Sequence, residues 1–211
     1  MEYEKWRDDI FGQPVGSDPV MLDLLPETYS VAPDEHFAHV DRTLSDPQIH
    51  ELFNSDQIGT GLQLIYSNSC SDICFCYIKA GDEARRVSGI AKLNDLYAKY
   101  FDRYCLSPVG SIGNDHLNGG IGYLCYMLWD LFVLYPGNAS PAMVSAALGV
   151  MSNALQMKND NCIVSAIHGL GHWATDVPRA PQVLRQWLRK PTTTNPTVIS
   201  YAKEATTGCV L

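Results

Sequence analysis

The last third of the chain repeats apolar residues at helical spacing, and interruptions divide it into three short segments. Between 160 and 173 the apolar residues recur every three or four positions, the period of one helix face. Pro181 and the pair Asn195-Pro196 mark two further starts, because proline is tolerated in the first turn of a helix but breaks its interior. The pattern predicts three amphipathic helices, the first of them capped by Asp160.

The middle of the chain also favours helices. The spacing predicts helices over 34–44, from Asp46-Pro47, from Ser55, over 70–80, over 81–104, over 118–135 and from Pro141 with Ser140 as its cap. Residues 70–80 also fit the alternation of a strand, but their neighbours favour a helix. Consecutive helices with short connections predict an all-α fold, an array of antiparallel helices.

Proline and glycine set the organisation of the chain. They are frequent in residues 1–33, which predicts an irregular N-terminal arm anchored by Trp6, Ile10 and Phe11. Residues 34–211 are expected to form a single helical domain. The glycine-rich loop over 106–120 is the one candidate for a boundary within it.

Charge and apolar runs exclude several classes of partner. The 211 residues carry 15 Lys plus Arg against 23 Asp plus Glu, a net charge of -8, and no basic cluster is longer than Arg85-Arg86. Nucleic acid and anionic membranes are therefore excluded, whereas a basic protein is compatible. The longest apolar run, 121–135, contains Asp130 and is shorter than the ~20 residues of a membrane span. We expect it to be a core helix.

The cysteines and the N-terminus point to one compartment. The seven cysteines are an odd, scattered set, unlike the paired cysteines of a secreted disulfide framework. The first residues lack the apolar core of a signal peptide. Both observations predict reduced thiols and a cytoplasmic protein.

The segment IHGLGHW, residues 167–173, is the candidate site. On a helix, His168 and His172 lie four residues apart on one face, which suits binding of a metal ion by both imidazoles. If Ile163 centres the buried face, both histidines point to the outer side. Asp176 extends the same row if the helix continues that far, and Trp173 lies beside it.

A structural role competes with metal binding at this segment. Two histidines are fewer than the three protein ligands of a catalytic zinc, and Gly169 stands where zincins place a glutamate. Gly169 and Gly171 could instead let neighbouring helices approach closely, with the histidines bonded to helix ends. Asp130, a carboxylate within an apolar helix, is expected to be a paired polar anchor first and an acid or base second.

Three other groups receive the structural interpretation. Cys70, Cys74 and Cys76 do not have a standard zinc spacing and are expected in the core. Ser165 lies three residues before His168 but lacks the strand–turn–helix elbow of a nucleophile. The loop trio Asn114-Asp115-His116 is expected to form a turn that caps the next helix.

The C-terminal third resembles HEAT-like helical repeats in SAIHGLGHW, PQVLRQWL and PTVISYAKEATTGCVL. The segments CYMLWD and HGLGHW are also similar to those of a bacterial family of uncharacterised proteins. The resemblance implies a curved helical stack that binds another protein, with no catalytic residues to carry over.

The leading hypothesis is a non-enzymatic helical module that binds another protein, in an immunity- or adaptor-like role. Its binding surface would comprise His168, His172, Trp173 and Asp176, it needs no cofactor, and its acidic charge favours a basic partner. The alternative is a metal-dependent hydrolase in which His168 and His172 bind a divalent metal, with Asp176 or Asp115 as a third ligand. A third hypothesis is a subunit of a homo-oligomer.

Overall fold

A computed structural model describes residues 1–106, 108–113 and 120–210 and confirms the all-α class, since these residues contain no strand. The helices are α1 Tyr3–Phe11, α2 Pro26–Tyr29, α3 Pro33–Thr43, α4 Ile49–Leu52, α5 Ser55–Tyr66, α6 Cys76–Lys79, α7 Glu83–Ala91, α8 Leu93–Leu96, α9 Asp102–Tyr104, α10 Gly120–Leu131, α11 Pro141–Ala154, α12 Asp160–His172, α13 Arg179–Trp187 and α14 Pro196–Ala205. Short 3-10 helices cover Pro19–Met21 and Ile73–Phe75, and a π-helical segment covers Tyr97–Phe101.

Helix α12 lies at the centre of the C-terminal half. It packs against α10, α11, α13 and α14, and every residue from Asn161 to Gly171 is buried. Helix α10 also packs against α5, which in turn contacts α1. Trp6, Ile10 and Phe11 of α1 are fully buried. Helix α10 therefore links the N-terminal helices to the C-terminal ones and lies at the centre of the packing.

The three predicted C-terminal helices are confirmed as α12, α13 and α14. Asn195 caps α14 by accepting a hydrogen bond from the amide of Thr197, and Ser140 caps α11 as predicted. Helix α13 begins at Arg179, two residues before the predicted start at Pro181, because a proline fits any position of the first turn, where backbone amides have no helical partner.

Two other predicted caps are wrong by one residue, because an asparagine precedes each of them. Asn54, rather than Ser55, caps α5 in a capping box. The Asn54 side chain accepts a hydrogen bond from the Gln57 amide, and the Gln57 side chain accepts one from the Asn54 amide. Asn159, rather than Asp160, caps α12 by accepting from a backbone amide in the first turn.

The single helix predicted over 81–104 is interrupted at Lys92. The side-chain amide of Asn94 donates to the carbonyl of Ala91 at 2.6 Å, and the Asp95 amide donates to the Lys92 carbonyl instead. A local side-chain bond of this kind competes with the helical ladder. The helix therefore divides into α7, α8, the π-helical segment and α9.

Glycines bring the central helices close together, as expected for Gly169 and Gly171. A Cβ atom at Gly169 would lie 2.5 Å from the Trp129 ring on α10, and one at Gly171 would lie 3.1 Å from Ala205 on α14. Between α5 and α10, a Cβ atom at Gly59 would lie 2.7 Å from the backbone nitrogen of Ile121. The neighbours of α10 and α12 therefore approach nearer than any side chain at these positions would allow.

Across the described ranges, no helix combines the length and the apolar character needed to cross a membrane.

Candidate metal centre

Helices α10 and α12 bring Asp130, His168 and His172 together. Asp130 Oδ2 lies 2.6 Å from His168 Nε2, and Asp130 Oδ1 lies 3.0 Å from His172 Nε2. The two Nε2 atoms are 3.1 Å apart. Within the described part of the chain, this is the only group of three His, Cys, Asp or Glu side chains whose ligand atoms converge, all within 4.8 Å of one another. We call it the Asp-His-His triad.

Hydrogen atoms alone do not satisfy the three contacts of the triad. An ionised Asp130 only accepts, so each contact to the carboxylate requires a proton on Nε2 of the histidine concerned. With both Nε2 atoms protonated, two donors lie 3.1 Å apart and neither has a lone pair to accept from the other. With one proton removed, a nitrogen lone pair faces the carboxylate. A cation at the centre satisfies all three lone pairs at once.

The charge state of Asp130 supports this argument. Burial alone would raise the pKa of its carboxyl group, but hydrogen bonds from His168 and His172 outweigh burial and lower the pKa to about 2. The carboxylate is therefore ionised at neutral pH and available as a ligand.

Two tyrosines support His168 from behind. Tyr201 on α14 places its hydroxyl 2.5 Å from His168 Nδ1. The Tyr126 ring lies 4.3 Å from the His168 ring, centroid to centroid. The imidazole of His168 is therefore held on both its nitrogens and on one face, with Nε2 directed at the other two members of the triad.

The triad is closed on one side and open on the other. The side chain of His168 is 0% exposed, that of Asp130 is 22% exposed, and that of His172 is 41% exposed. A cleft of about 600 Å³ contains Asp130 and His172, with an aromatic wall that includes Trp129 and Tyr135. A small molecule could therefore reach the triad from the cleft side.

The prediction that both histidines point to the outer face is wrong for His168. That prediction assumed that one face of α12 is exposed to solvent, whereas α10 and α14 cover the face that carries His168. Trp173, also predicted on a binding surface, is 2% exposed and packs edge-on against Trp129 at 5.9 Å between ring centroids. Of the predicted surface, only His172 and Asp176 are exposed.

The third member of the triad differs from both predicted ligands. Helix α12 ends at His172, so Asp176 does not continue the histidine row, although it lines the same cleft. Asp115 lies outside the described residues, as do Asn114 and His116. The expected polar anchor, Asp130, takes the third place. Its partners in the triad are the two histidines.

The remaining candidate residues take structural positions. Ser165 is buried and lies 2.7 Å from the Tyr97 hydroxyl, which accepts a hydrogen bond from Trp129 Nε1 at 2.9 Å. Cys74 and Cys76 are buried free thiols and Cys70 is half-buried. Burial raises the pKa of all three thiols, which keeps them protonated and poorly nucleophilic.

Comparison of the chain with protein-family models, with curated proteins and with solved structures gives no match. The resemblance to HEAT-like repeats and to a bacterial family therefore stays a prediction.

Proposed function

We propose that the chain is a metal-dependent hydrolase that binds one divalent transition-metal ion through Asp130, His168 and His172. The convergence of the three ligand atoms carries the proposal, because ionised Asp130 and two Nε2 atoms cannot complete their hydrogen bonds among themselves at 2.6, 3.0 and 3.1 Å. One cation removes that conflict. Two imidazoles and one carboxylate form a donor set that suits zinc, iron(II) or manganese.

The open side of the triad supports catalysis over a purely structural metal. Structural zinc sites are closed by four protein ligands, whereas catalytic sites use three and leave a position for water or substrate. Here two of the three ligands, Asp130 and His172, border the cleft that also contains the exposed carboxylate of Asp176. A metal ion held by Asp130, His168 and His172 would lower the pKa of a bound water toward neutrality and would so supply a hydroxide nucleophile. Asp176 is the group in this cleft available to accept a proton.

Metal analysis tests the first part of the proposal. Purified chain incubated with zinc and then dialysed is expected to hold one zinc per chain, and Asp130→Ala and His172→Ala are each expected to lose it. His50→Ala is the matched control, since His50 is a half-buried histidine bonded to Tyr104, away from the triad. A wild-type chain without bound zinc, iron or manganese after loading with each would refute the metal centre.

A panel of chromogenic carboxylic esters, anilides and phosphate esters tests the second part. Metal-loaded wild type is expected to hydrolyse one class at a rate that His172→Ala and a chelator both abolish. Metal binding without hydrolysis of any class would keep the metal centre and remove the hydrolase.

Protein binding is a second candidate, and exposed apolar side chains favour it. Val15, Val20, Met21, Leu25 and Tyr29 are all between 41% and 79% exposed, and all fall within one short stretch of the N-terminal segment. Exposed apolar side chains at this density are typical of an interaction surface. A second copy of the chain is the simplest partner, so light scattering should detect a dimer that Val20→Ser with Met21→Ser dissociates. A monomer at high concentration would exclude self-association through this stretch.

A further inference from the structure

We infer that the cleft beside the triad takes uncharged carboxylic esters or amides that carry an aromatic ring and rejects phosphate esters, an inference that rests on the proposed hydrolase. Three features of the cleft support this substrate class: its aromatic lining, the two helices that end at it, and the signs of its charged side chains.

Aromatic side chains form much of the cleft, whose volume is about 600 Å³. Trp129, Phe132 and Trp173 are 2–3% exposed, whereas Tyr135 is 57% exposed, and the half-buried ring of Phe75 also contributes. Small-molecule sites of this volume are lined mainly by apolar and aromatic side chains. Aromatic rings pack favourably on one another edge-on or in an offset stack. The lining therefore suits a ligand with an aromatic ring, and Tyr135 offers it an accessible ring surface.

Helices α10 and α12 both direct their C-terminal ends at the cleft. Asp130 is the next-to-last residue of α10, and His172 is the last residue of α12. The C-terminal end of a helix carries a partial negative charge, which stabilises a cation and destabilises an anion near the last turn. The two helix ends therefore favour the metal ion and disfavour an anionic group on the substrate.

The charged side chains of the cleft have the same effect. Among the described residues that line it, Asp130 and Asp176 are acidic and none is Lys or Arg. Lys79 contacts the Phe75 ring, with Nζ 4.8 Å from the ring centroid, but it does not line the cleft. Two carboxylates balance the charge of one divalent metal ion, so no positive charge remains for a phosphate group. Proteins commonly bind phosphate through Arg or Lys, and an uncharged substrate needs neither.

Three hydroxamates that bind zinc through the same group test the inference. Acetohydroxamate carries a methyl group, benzohydroxamate carries a phenyl ring, and 4-carboxybenzohydroxamate carries the same ring with a negative charge. Titration calorimetry of the zinc-loaded wild-type chain measures their affinities, each corrected for the ligand's affinity for zinc in solution.

The phenyl ring should strengthen binding and the carboxylate should weaken it. We expect benzohydroxamate to bind at least about 10-fold more tightly than acetohydroxamate, because one methylene in an apolar pocket already changes discrimination by about 10- to 200-fold. The added carboxylate should weaken binding at least about 3-fold, because a charge near one helix end changes affinity by roughly 2- to 5-fold and two helices end here.

Tyr135→Ala tests whether the cleft is the source of the difference. This variant should lose about 2- to 12-fold in affinity for benzohydroxamate, the scale of one aromatic pair, and should keep wild-type affinity for acetohydroxamate. The Tyr135 amide still donates to Asn138 Oδ1 in the variant, so the turn is retained. Tyr104→Ala is the matched control, since Tyr104 is a more buried tyrosine whose hydroxyl bonds to His50, outside the cleft. Its affinities for all three ligands should equal those of wild type.

Equal affinities of the wild-type chain for acetohydroxamate and benzohydroxamate, or tighter binding of the carboxylated ligand, would overturn the inference. An unchanged benzohydroxamate affinity in Tyr135→Ala would also overturn it, and so would zinc-dependent hydrolysis of phosphate esters alone. None of these results would remove the metal-dependent hydrolase. A zinc-loaded chain that binds none of the three hydroxamates would instead refute the open metal site itself, so the two failures are distinguishable.

Discussion

Gly169→Ala tests how closely the contact between α10 and α12 controls the triad. A Cβ atom at Gly169 would lie 2.5 Å from both Cγ and Cδ1 of Trp129 and 2.8 Å from its Cβ. Carbon atoms pack best at about 3.5–4 Å, so the indole must move by about 1 Å. Trp129 has little freedom to do so, because it is buried and its Nε1 donates to Tyr97 inside the core.

The net cost follows from two opposing effects. Overpacking of a core costs about 1–3 kcal/mol, while alanine in place of glycine stabilises a helix interior by roughly 1 kcal/mol. Because three atoms of Trp129 clash, we expect unfolding free energy to fall by about 1–2 kcal/mol. This corresponds to a decrease in Tm of about 2–8 °C for a chain of this size.

Gly149→Ala is the matched control. Gly149 is an exposed position within α11, and a Cβ atom there would meet nothing within 4 Å. This variant keeps the helix-propensity gain without the clash, so it should be about 1 kcal/mol more stable than wild type. Urea denaturation compares the two variants, which should differ by about 2–3 kcal/mol. Equal stability of Gly169→Ala and Gly149→Ala would refute the close-contact argument.

The same variant has a consequence at the metal centre. Asp130 follows Trp129 in the chain, so a shift of the indole moves the carboxylate relative to His168 and His172. Zinc affinity in Gly169→Ala should fall by at least about 10-fold, the scale of losses from disturbed ligand support. Lower stability with unchanged zinc affinity would show that the triad does not depend on this contact.

Three further predictions concern the core, pH and the pairing within the triad. Leu170→Asp and Trp187→Asp place a charge in the buried core and should each destabilise by about 3 kcal/mol or more; a Tm near wild type would contradict this. Burial lowers the pKa of His36 to about 4. As pH decreases, His36 is therefore protonated in the unfolded chain before it is protonated in the folded chain. Stability should fall as pH decreases from ~6.5 toward 4. His36→Gln should flatten that part of the Tm–pH curve, and an unchanged curve would exclude His36 as the cause. A double-mutant cycle of Asp130 and His172 should give a coupling below about 1 kcal/mol in chelator, as for partly exposed pairs, and a larger coupling in zinc; equal values would count against a shared ion.

The all-α class could be predicted from sequence because its signals are local. The apolar stripe, the Ser140 cap and the Asn195-Pro196 start each lie within a few residues of the helix they define. The cap at Asn54 also has a sequence signal, since Gln57 three residues later completes a capping box. Where two adjacent polar residues could each cap a helix, the backbone geometry determines which of them does so. The spacing of apolar residues does not distinguish between them.

The burial of His168 could not be predicted from the stripe on α12. Amphipathic spacing indicates which face is most apolar, but it does not indicate how many neighbours a helix has. Helix α12 is covered by α10, α11, α13 and α14, so its polar face is also inside. The histidine therefore requires polar partners there, and Asp130 and Tyr201 provide them.

The triad depends on a pairing between residues 38 positions apart, and only one half of it has a sequence signal. The spacing of His168 and His172 indicates shared ligands, while Asp130 is visible only as a charge within an apolar helix. A partly buried carboxylate is destabilising unless it is paired, so a helix such as α10 requires cationic or donor side chains opposite Asp130. The two histidines are such donors. A carboxylate within one apolar helix and a histidine pair on another each need polar partners in a core made of apolar helices, and that shared need is the signal that connects Asp130 with His168 and His172.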